Sequence, residues 1–171
     1  FSIYRSFLAF CTNGIICNST YTPNMFGDIE TILIPDCLKT EAKFAEKNTL
    51  GSKFILTYVG RVSERKGLDT LLNAIALLTN KEYLVLNICG DYLASEANYF
   101  NNLSTKIKNL HDLGVEIVMD GFVEQPDMII RRSNFTIAPS LLPETFGLSV
   151  LESLNQSRPV IVSNSGAYPE L

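Results

Sequence analysis

The sequence predicts an α/β protein with a doubly wound parallel sheet, in which helices cover both faces of the sheet. Three observations predict this fold: short apolar runs that read as strands, helical periodicity between them, and glycine or small polar residues where the strands end. Near-continuous apolar strands separated by helices are typical of a parallel sheet buried on both faces. The composition, with 46% hydrophobic and 19% charged residues, is ordinary for a globular protein.

The alternation of elements begins at residue 53 and comprises five strands and four helices. The first strand is the β-branched run KFILTYVG, and the segment after it, GLDTLLNAIALLTN, repeats apolar residues at helical spacing. The predicted strands span residues 53–60, 83–90, 115–121, 135–140 and 158–164. The predicted helices span residues 67–80, 95–114, 125–133 and 147–157.

Residues 1–40 have a different pattern and predict the end of a separate N-terminal domain. A helix-like start is followed by a short strand at 14–17, a polar stretch and a second strand at 30–35. The polar segment 41–52 predicts a linker, which leaves residues 53–171 as the sheet domain. The chain begins with Phe and ends directly after a predicted strand and turn, so we expect a fragment of a two-domain protein whose last domain is C-terminally incomplete.

Charge and cysteine content exclude several classes of function. The net charge is −4 and no basic cluster occurs beyond Arg131 and Arg132, so no nucleic-acid partner is expected. The four cysteines lack C-x-x-C spacing and mostly border apolar runs, which predicts buried free thiols in a reducing cytoplasm. The single histidine, His111, is predicted on the surface near a helix C-terminus, which excludes most Ser–His and multi-histidine metal chemistry within this chain.

The first strand of the predicted sheet ends in a cluster of cations. Arg61, Arg65 and Lys66 lie between this strand and the next helix, and ligands of open parallel sheets bind at the carboxyl ends of strands. Cations at a helix N-terminus oppose the helix dipole unless an anion is present. The cluster therefore predicts a phosphate site that needs no metal, with solvated loop charges as the alternative interpretation.

Residues 143–152, PETFGLSVLE, place Glu144 and Glu152 on either side of a predicted helix start. Taken alone, both would be solvated acids. Beside a phosphate site, a carboxylate that accepts hydrogen bonds from two vicinal hydroxyls suits a ribose, and the second suits another polyhydroxylated group. The ligand predicted from these residues is a sugar nucleotide. The sequence contains neither the G-x-G of the dinucleotide-binding fingerprint nor the P-loop pattern G-x-x-x-x-G-K-[ST]. The hypotheses that the ligand is NAD or ATP therefore lose most of their support.

From about residue 50 to residue 171 the sequence resembles the C-terminal donor-binding domain of GT-B glycosyltransferases, which is Rossmann-like. It is most similar to the large retaining family usually numbered four. The resemblance rests on five segments in order: GRVSERKG, LNICGD, DGFV, APSLLPETFGLSVLE and RPVIVSNSGAYPE. The spacing of the two glutamates around Phe-Gly is fairly specific. Residues 13–36 resemble the crossover from the N-terminal, acceptor-binding domain of such enzymes.

The resemblance implies a role for each matching residue. Arg61 and Lys66 would hold the diphosphate and neutralise the charge of the leaving group. Glu144 would bind the donor sugar and Glu152 the ribose. The backbone around Phe122 and Val123 would face the base. The remaining donor-binding residues lie at the first strand end and the last helix start, and they are Gly60, Thr145, Phe146, Gly147 and Leu148.

The implied activity is transfer of a hexosyl group from a UDP- or GDP-linked donor with retention of anomeric configuration. The acceptor would be a sugar, a lipid-linked group or another hydroxyl, and no metal or other cofactor would be needed. In this family the acceptor site and a catalytic histidine belong to the N-terminal domain, so this chain alone is not expected to be active. The implied location is cytoplasmic, with a peripheral contact to the inner membrane face through the N-terminal domain left open.

Two departures and two rival functions accompany the resemblance. Ser157 stands where glycine is common, and Asp36-Cys37 stands where Asn-Gly is usual. The first rival is a sugar-nucleotide epimerase or phosphorylase of the same fold, which would act by elimination or with inorganic phosphate. The second rival is a non-catalytic nucleotide-binding α/β module.

Overall fold

The computed structural model describes residues 2–38 and 53–171, and the predicted linker at 41–52 lies outside the described residues. The helices are α1 (Ser2–Cys11), α2 (Leu68–Ala76), α3 (Ala97–Asp112), α4 (Asp127–Arg132) and α5 (Leu148–Asn155). The strands are β1 (Ile15–Cys17), β2 (Thr31–Leu33), β3 (Phe54–Val59), β4 (Leu84–Cys89), β5 (Glu116–Gly121), β6 (Phe135–Ala138) and β7 (Val160–Val162).

Strands β3 to β7 form one parallel sheet in the order β5-β4-β3-β6-β7. The predicted fold class is confirmed, and so is the alternation of five strands with four helices from residue 53 onward. The chain runs outward from β3 to β5 and then returns to place β6 on the other side of β3. Such a reversal of strand order opens a crevice at the carboxyl ends of the two central strands, where α/β proteins bind ligands.

The main core lies between the sheet and helices α2 and α3. In α2 the buried residues recur at the spacing of one helical face, which packs on the sheet. They are Leu68, Leu71, Leu72 and Ile75. The predicted helix 67–80 is too long at its C-terminus, because Leu77 and Leu78 are 86% and 47% exposed and have no core to face. The opposite side of the sheet carries a smaller buried cluster around Val150 of α5 and Tyr168.

Helix α5 ends just before Ser157, the serine that stands where the resembled family commonly has glycine. Ser157 has φ 55°, a left-handed conformation that glycine adopts without steric cost. The amide of Ser157 donates to the carbonyl of Leu154, and the amide of Arg158 donates to the carbonyl of Ser153. These two bonds form the helix-terminating arrangement in which glycine is usual. Ser157 therefore adopts a backbone conformation that is usual for glycine, and its Cβ atom makes that conformation strained.

The N-terminal segment forms a small two-stranded parallel sheet of β1 and β2. Glu170, in the last turn of the chain, joins this segment to the sheet domain, because its carboxylate accepts hydrogen bonds from the amides of Thr20 at 2.8 Å and Tyr21 at 2.9 Å. The Thr20 amide bond, followed by smaller contributions including the Tyr21 amide, lowers the pKa of Glu170 below its usual range.

The expectation of buried thiols is half wrong. All four cysteines are free, but only Cys17 and Cys89 are buried, whereas Cys11 and Cys37 are exposed. Apolar neighbours in sequence do not bury these two residues, because they lie where α1 ends and beyond the end of β2. His111 is exposed in the last turn of α3, as expected. In the part of the chain that the structure describes, no helix combines the length and apolarity needed to cross a membrane.

Candidate functional site

A cleft of about 470 Å³ opens at the carboxyl ends of β3, β4 and β5. Its wall includes four of the residues assigned to the donor, which are Gly60, Arg61, Phe122 and Val123. The ring of Phe122 is 78% exposed, so it is available to a ligand rather than consumed by the core. The cleft therefore combines an exposed cation from one strand end with an exposed aromatic ring from another.

The floor of this cleft is formed by the backbone segments that follow β3 and β4, which approach closely at Gly60 and Gly90. The Gly60 amide donates to the Cys89 carbonyl at 3.0 Å, and the Val62 amide donates to the Asp91 carbonyl at 2.9 Å. A Cβ atom on Gly90 would lie 1.8 Å from the Gly60 carbonyl oxygen, which only glycine avoids. The pairing of β3 with β4 thus continues past the strand ends and gives Arg61 a rigid base.

Tyr58 fixes the backbone of Arg61 from below. Its hydroxyl donates to the Arg61 carbonyl at 2.6 Å, and its side chain is almost completely buried. Burial raises the pKa of this phenol, and Tyr99, Tyr168 and Glu144 raise it further. The hydroxyl therefore stays protonated and remains a donor. The sequence gives no sign of this hydrogen bond, because the Arg61 carbonyl is brought to Tyr58 only by the fold.

Lys66 and Glu144 meet at the reversal of strand order. Lys66 lies in the turn after β3 and Glu144 in the loop after β6, yet Lys66 Nζ is 2.7 Å from Glu144 Oε1. The side chains are 32% and 19% exposed, so the pair is only partly screened by water. The backbones of the two loops are also bonded, since the Leu141 amide donates to the Arg65 carbonyl at 2.8 Å.

Two glycines allow the loops to approach so closely. A Cβ atom on Gly67, at φ 72°, would lie 2.0 Å from the Pro139 carbonyl oxygen. A Cβ atom on Gly166 would lie 2.4 Å from both the backbone nitrogen and the carbonyl oxygen of Glu144. The next residue, Ala167, donates its amide to the Glu144 carbonyl at 2.9 Å. The backbone of Glu144 is consequently held by residues 166 and 167.

Ser140 and Tyr168 complete this cluster, and the sequence analysis assigned neither. Ser140 Oγ donates to Glu144 Oε1 at 2.7 Å, and the Tyr168 hydroxyl lies 3.2 Å from Ser140 Oγ. Burial raises the pKa of Tyr168, an effect that its hydrogen bond with Ser140 partly offsets. The position of Ser140, a small polar residue directly after β6, is a signal that could have drawn attention to it.

The chain between the two glutamates leads from the cluster into α5. Thr145 is exposed and Phe146 is buried, which anchors the loop. Gly147 has φ 112° and precedes the helix, where a Cβ atom would lie 2.7 Å from the Tyr168 ring. Leu148 opens α5 and is 47% exposed. The first amides of α5 lack intrahelical acceptors, as at any helix start.

Glu152 lies in the middle of α5 and differs from Glu144. Burial raises its pKa, and the negative charge of Asp127 on α4 raises it further. Among residues 2–38 and 53–171, no cation pairs with it. The structure thus brings Gly60, Arg61, Phe122 and Val123 to one cleft and joins Lys66 to Glu144. No hydrogen bond or ion pair within the described ranges links Glu152 to either group.

The described parts of the chain contain no group of three His, Cys, Asp or Glu side chains arranged to hold a metal ion.

Residues 39–171 match the sequence family described as Glycosyl transferases group 1. The chain is 27% identical over 140 residues to lipopolysaccharide 1,2-N-acetylglucosaminetransferase of Salmonella typhimurium, which covers 79% of this chain and 35% of that protein. It is 28% identical over 110 residues to the O-antigen biosynthesis glycosyltransferase WclY of Escherichia coli, covering 64% of this chain and 28% of that protein. The chain thus spans about a third of the length of these relatives.

The fold is similar to that of HepE from Anabaena, crystallised in complex with UDP and glucose, with a TM-score of 0.86 and 20% identity. The alignment covers 99% of this chain and 49% of that one, and HepE has also been crystallised in complex with UDP-glucose. This likeness identifies the fold as the Rossmann-like half of a GT-B protein. Because the family match extends over most of the sequence, the chain belongs to the group 1 glycosyl transferases.

Proposed function

We propose that this chain is the donor-binding part of a retaining enzyme of the family usually numbered four. The enzyme transfers a hexosyl group from a UDP- or GDP-linked sugar to a hydroxyl acceptor without a metal, and UDP or GDP is the leaving group. The observation that carries the proposal is the Lys66–Glu144 ion pair at the reversal of strand order, beside the loop that carries Arg61. The crystals of HepE with UDP and UDP-glucose support a nucleotide-sugar donor, although that relative shares only 20% identity.

The proposed role of the cations is to stabilise the leaving diphosphate. Arg61 lies on the wall of the cleft with an exposed side chain, and Lys66 follows it in the same loop. As the bond to the sugar breaks, negative charge grows on the phosphate oxygen. Fixed cations at that position lower the barrier because they are oriented before the reaction. The first amides of α5, from Gly147 onward, favour the same charge.

The proposed role of the glutamates is to bind hydroxyl groups. Glu144 has one oxygen engaged by Lys66 and Ser140, and its other oxygen accepts no hydrogen bond from the described residues. That oxygen can accept from a sugar hydroxyl. Glu152 is half-buried and lacks a cation, so ribose hydroxyls would supply the donors that its carboxylate lacks. Phe122 and Val123 would contact the base across the cleft.

The proposed transfer takes place on one face of the sugar. The bond between the anomeric carbon and the phosphate oxygen breaks, and the phosphate keeps the electron pair. The acceptor hydroxyl gives its proton to a phosphate oxygen and bonds to the anomeric carbon on the same face, so configuration is retained. A double displacement is not proposed, because Glu152 is assigned to the ribose and is a poor candidate for its nucleophile.

Calorimetric titration of the purified protein with UDP, GDP and NAD in EDTA tests the proposal. We expect UDP or GDP to bind without metal and NAD not to bind. The variant Arg61→Ala should weaken binding by about 10- to 100-fold, because a charge-assisted bond to phosphate is lost. Lys108→Ala is the control, since Lys108 is also an exposed cation but lies on α3, outside the cleft wall and the predicted phosphate cluster.

Two results would overturn the proposal. The first is no binding of UDP or GDP by a protein with a cooperative unfolding transition, and the second is equal loss of affinity in the Lys108→Ala control. A donor that is hydrolysed without any acceptor-dependent transfer would favour an epimerase or phosphorylase instead. Retention itself is read from the anomeric proton of the product by NMR.

A further inference from the structure

We propose that Ser140 and Tyr168 are positioning residues that aim the carboxylate of Glu144 at the donor sugar. This inference rests on the proposed function, because it concerns the group that would bind the sugar in the same site. It is carried by a directed chain of hydrogen bonds that ends on one oxygen of Glu144.

The direction of these hydrogen bonds follows from counting the protons that each hydroxyl can donate. A serine hydroxyl has one proton to donate. Ser140 Oγ donates that proton to Glu144 Oε1 at 2.7 Å, so the 3.2 Å bond to Tyr168 must be donated by the tyrosine. Tyr168 therefore orients Ser140, and Ser140 orients Glu144. The raised pKa of Tyr168 keeps the phenol protonated, as this direction requires.

The two donors on Glu144 differ in how well they define direction. The ammonium group of Lys66 ends a flexible stem and attracts a carboxylate from many angles. Ser140 is 4% exposed and Tyr168 is 5% exposed, so both hydroxyls are held by packing. With Oε1 fixed between lysine and serine, the second oxygen, Oε2, has one direction left. Loss of the Ser140 hydroxyl would let the carboxylate pivot around Lys66.

The surrounding backbone shows why this pivot would matter. The Glu144 carbonyl accepts the Ala167 amide at 2.9 Å, and Gly166 packs directly on the Glu144 backbone. The main chain is restrained against following a turning side chain, because it is bonded to Ala167 and packed against Gly166. The rotation about the side-chain bonds of Glu144 is then the remaining freedom, and Ser140 restricts it. We infer that the hydroxyl pair serves sugar recognition more than it serves the fold.

The test measures the contribution of the sugar to donor affinity, as the ratio of the Kd for the free nucleotide to the Kd for the nucleotide sugar. The probes are UDP with UDP-glucose and UDP-N-acetylglucosamine, and GDP with GDP-mannose. We expect Ser140→Ala to lower the ratio by about 5- to 10-fold while the affinity for the free nucleotide changes less than about twofold. Tyr168→Phe should lower the ratio by about two- to threefold, and Ser140→Thr should restore most of it.

Ser163→Ala is the matched control. Its hydroxyl donates to the Ser140 carbonyl at 2.7 Å, so the variant removes a neighbouring hydrogen bond that does not reach Glu144. A purely structural role would lower nucleotide affinity and melting temperature in Ser163→Ala and Ser140→Ala alike. If Ser140→Ala does not fold, Tyr168→Phe still removes one hydroxyl and keeps the ring that packs against Gly147.

The outcomes separate this inference from the proposed function. Nucleotide binding by the wild-type protein, with a ratio that does not change in Ser140→Ala and Tyr168→Phe, would overturn the inference alone. A ratio of one for the wild-type protein with every sugar would also overturn it, because Glu144 would then not bind the sugar. No binding of either nucleotide by the folded wild-type protein would overturn the inference and the proposed function together.

Discussion

The carboxylate of Glu144, in the loop after β6, and the carboxylate of Glu152, in α5, differ in their hydrogen-bond partners and neighbouring charges. Glu144 is bonded to Lys66 and Ser140, and its backbone is held by Ala167. Glu152 is half-buried beside Asp127, and burial and that negative charge raise its pKa. One carboxylate has its partners within the protein, whereas the other lacks them among the described residues.

This difference indicates two ways of preparing a polar site. Lys66 and Ser140 orient the Glu144 carboxylate within the protein, so under the proposed function the donor sugar would meet an acceptor that is already oriented. Glu152 is less stable ionised in the folded protein than in water, which is typical of groups that a ligand completes. The first arrangement favours precise orientation, and the second makes ligand binding relieve an unfavourable state.

The largest expected effect comes from removing Lys66, the cation that pairs with Glu144. We expect Lys66→Ala to lower turnover of the intact enzyme by about 100-fold or more, because it removes the cation that we propose stabilises the leaving phosphate. The free energy of unfolding should fall by only about 1 kcal/mol, since the ion pair is partly exposed. Steady-state kinetics and thermal unfolding measure the two quantities.

Lys53→Ala is the control for this experiment. Lys53 pairs with Glu116 at 2.6 Å, but that pair lies at the amino ends of β3 and β5 and is 47% and 50% exposed. The Lys53→Ala variant should therefore leave turnover unchanged. Parallel loss of melting temperature and activity in Lys66→Ala would instead show that the pair acts mainly in the fold.

For Glu152, which has no cation partner among the described residues, we expect a substitution to change binding and stability in opposite directions. At pH 7, Glu152→Gln should weaken nucleotide binding by about tenfold and raise the melting temperature by about 1–2 °C. The pKa of Glu152 is raised in the folded state, so its ionisation destabilises the protein as pH rises from the unfolded pKa towards the folded one. The gain in stability should therefore vanish near pH 4.

An exposed carboxylate elsewhere provides the reference for that measurement. Glu82→Gln changes the same charge just before β4, at the opposite end of the sheet, and should alter neither binding nor its pH dependence. A melting temperature that falls in Glu152→Gln at pH 7 would contradict the assignment, because it would mean that the charge stabilises the fold.

A smaller effect is expected at the end of α5, where the helix can be stabilised away from the site. Ser157→Gly should raise the free energy of unfolding by about 0.5–1 kcal/mol, because glycine adopts φ 55° without strain. Thermal unfolding measures it, and Ser157→Ala is the control that keeps a Cβ atom. Added to Glu152→Gln, Ser157→Gly should not restore nucleotide binding, and restoration would mean that the glutamate acts only through helix stability.

The smallest effect concerns the turn that extends from the Glu144 loop to the N-terminal segment. Glu170→Gln should reduce the hydrogen-exchange protection of the Thr20 and Tyr21 amides by about two- to fivefold, with little change in global stability. The lowered pKa of Glu170 means that this contact is present above the usual carboxyl pKa and is lost as pH falls through the lowered value. Unchanged protection in the variant would exclude the contact in solution.

The sequence predicted the fold well because its signals are local. The periodicity of residues 53–171 defined each strand and helix, and the rule on strand ends placed Lys66 and Glu144 near each other before their 2.7 Å contact was known. Strand order could not be predicted, because pairing partners are chosen over long distances in sequence. The 3₁₀ turn at Thr22–Met25 was missed for a different reason, since its polar residues show no periodicity.

The parts of the site that sequence reasoning missed are hydroxyl groups in apolar surroundings. The sequence assigns no role to Tyr58 or Tyr168, and their side chains are buried. What their hydroxyls do depends on which carbonyl or serine lies opposite, and that is set by the meeting of distant segments. At Ser157 the sequence showed only a serine where the resembled family commonly has glycine, and the left-handed conformation became visible in the structure.

The central place of β3 also has a consequence for the order of folding. This strand pairs with β4, the next strand along the chain, and with β6, which follows three helices later. A chain emerging from the ribosome can close the first pairing early, but the second requires a much longer loop and its larger entropic cost. We expect Lys66 and Glu144 to meet late, so that pulse-labelled hydrogen exchange during refolding protects β4 before β6.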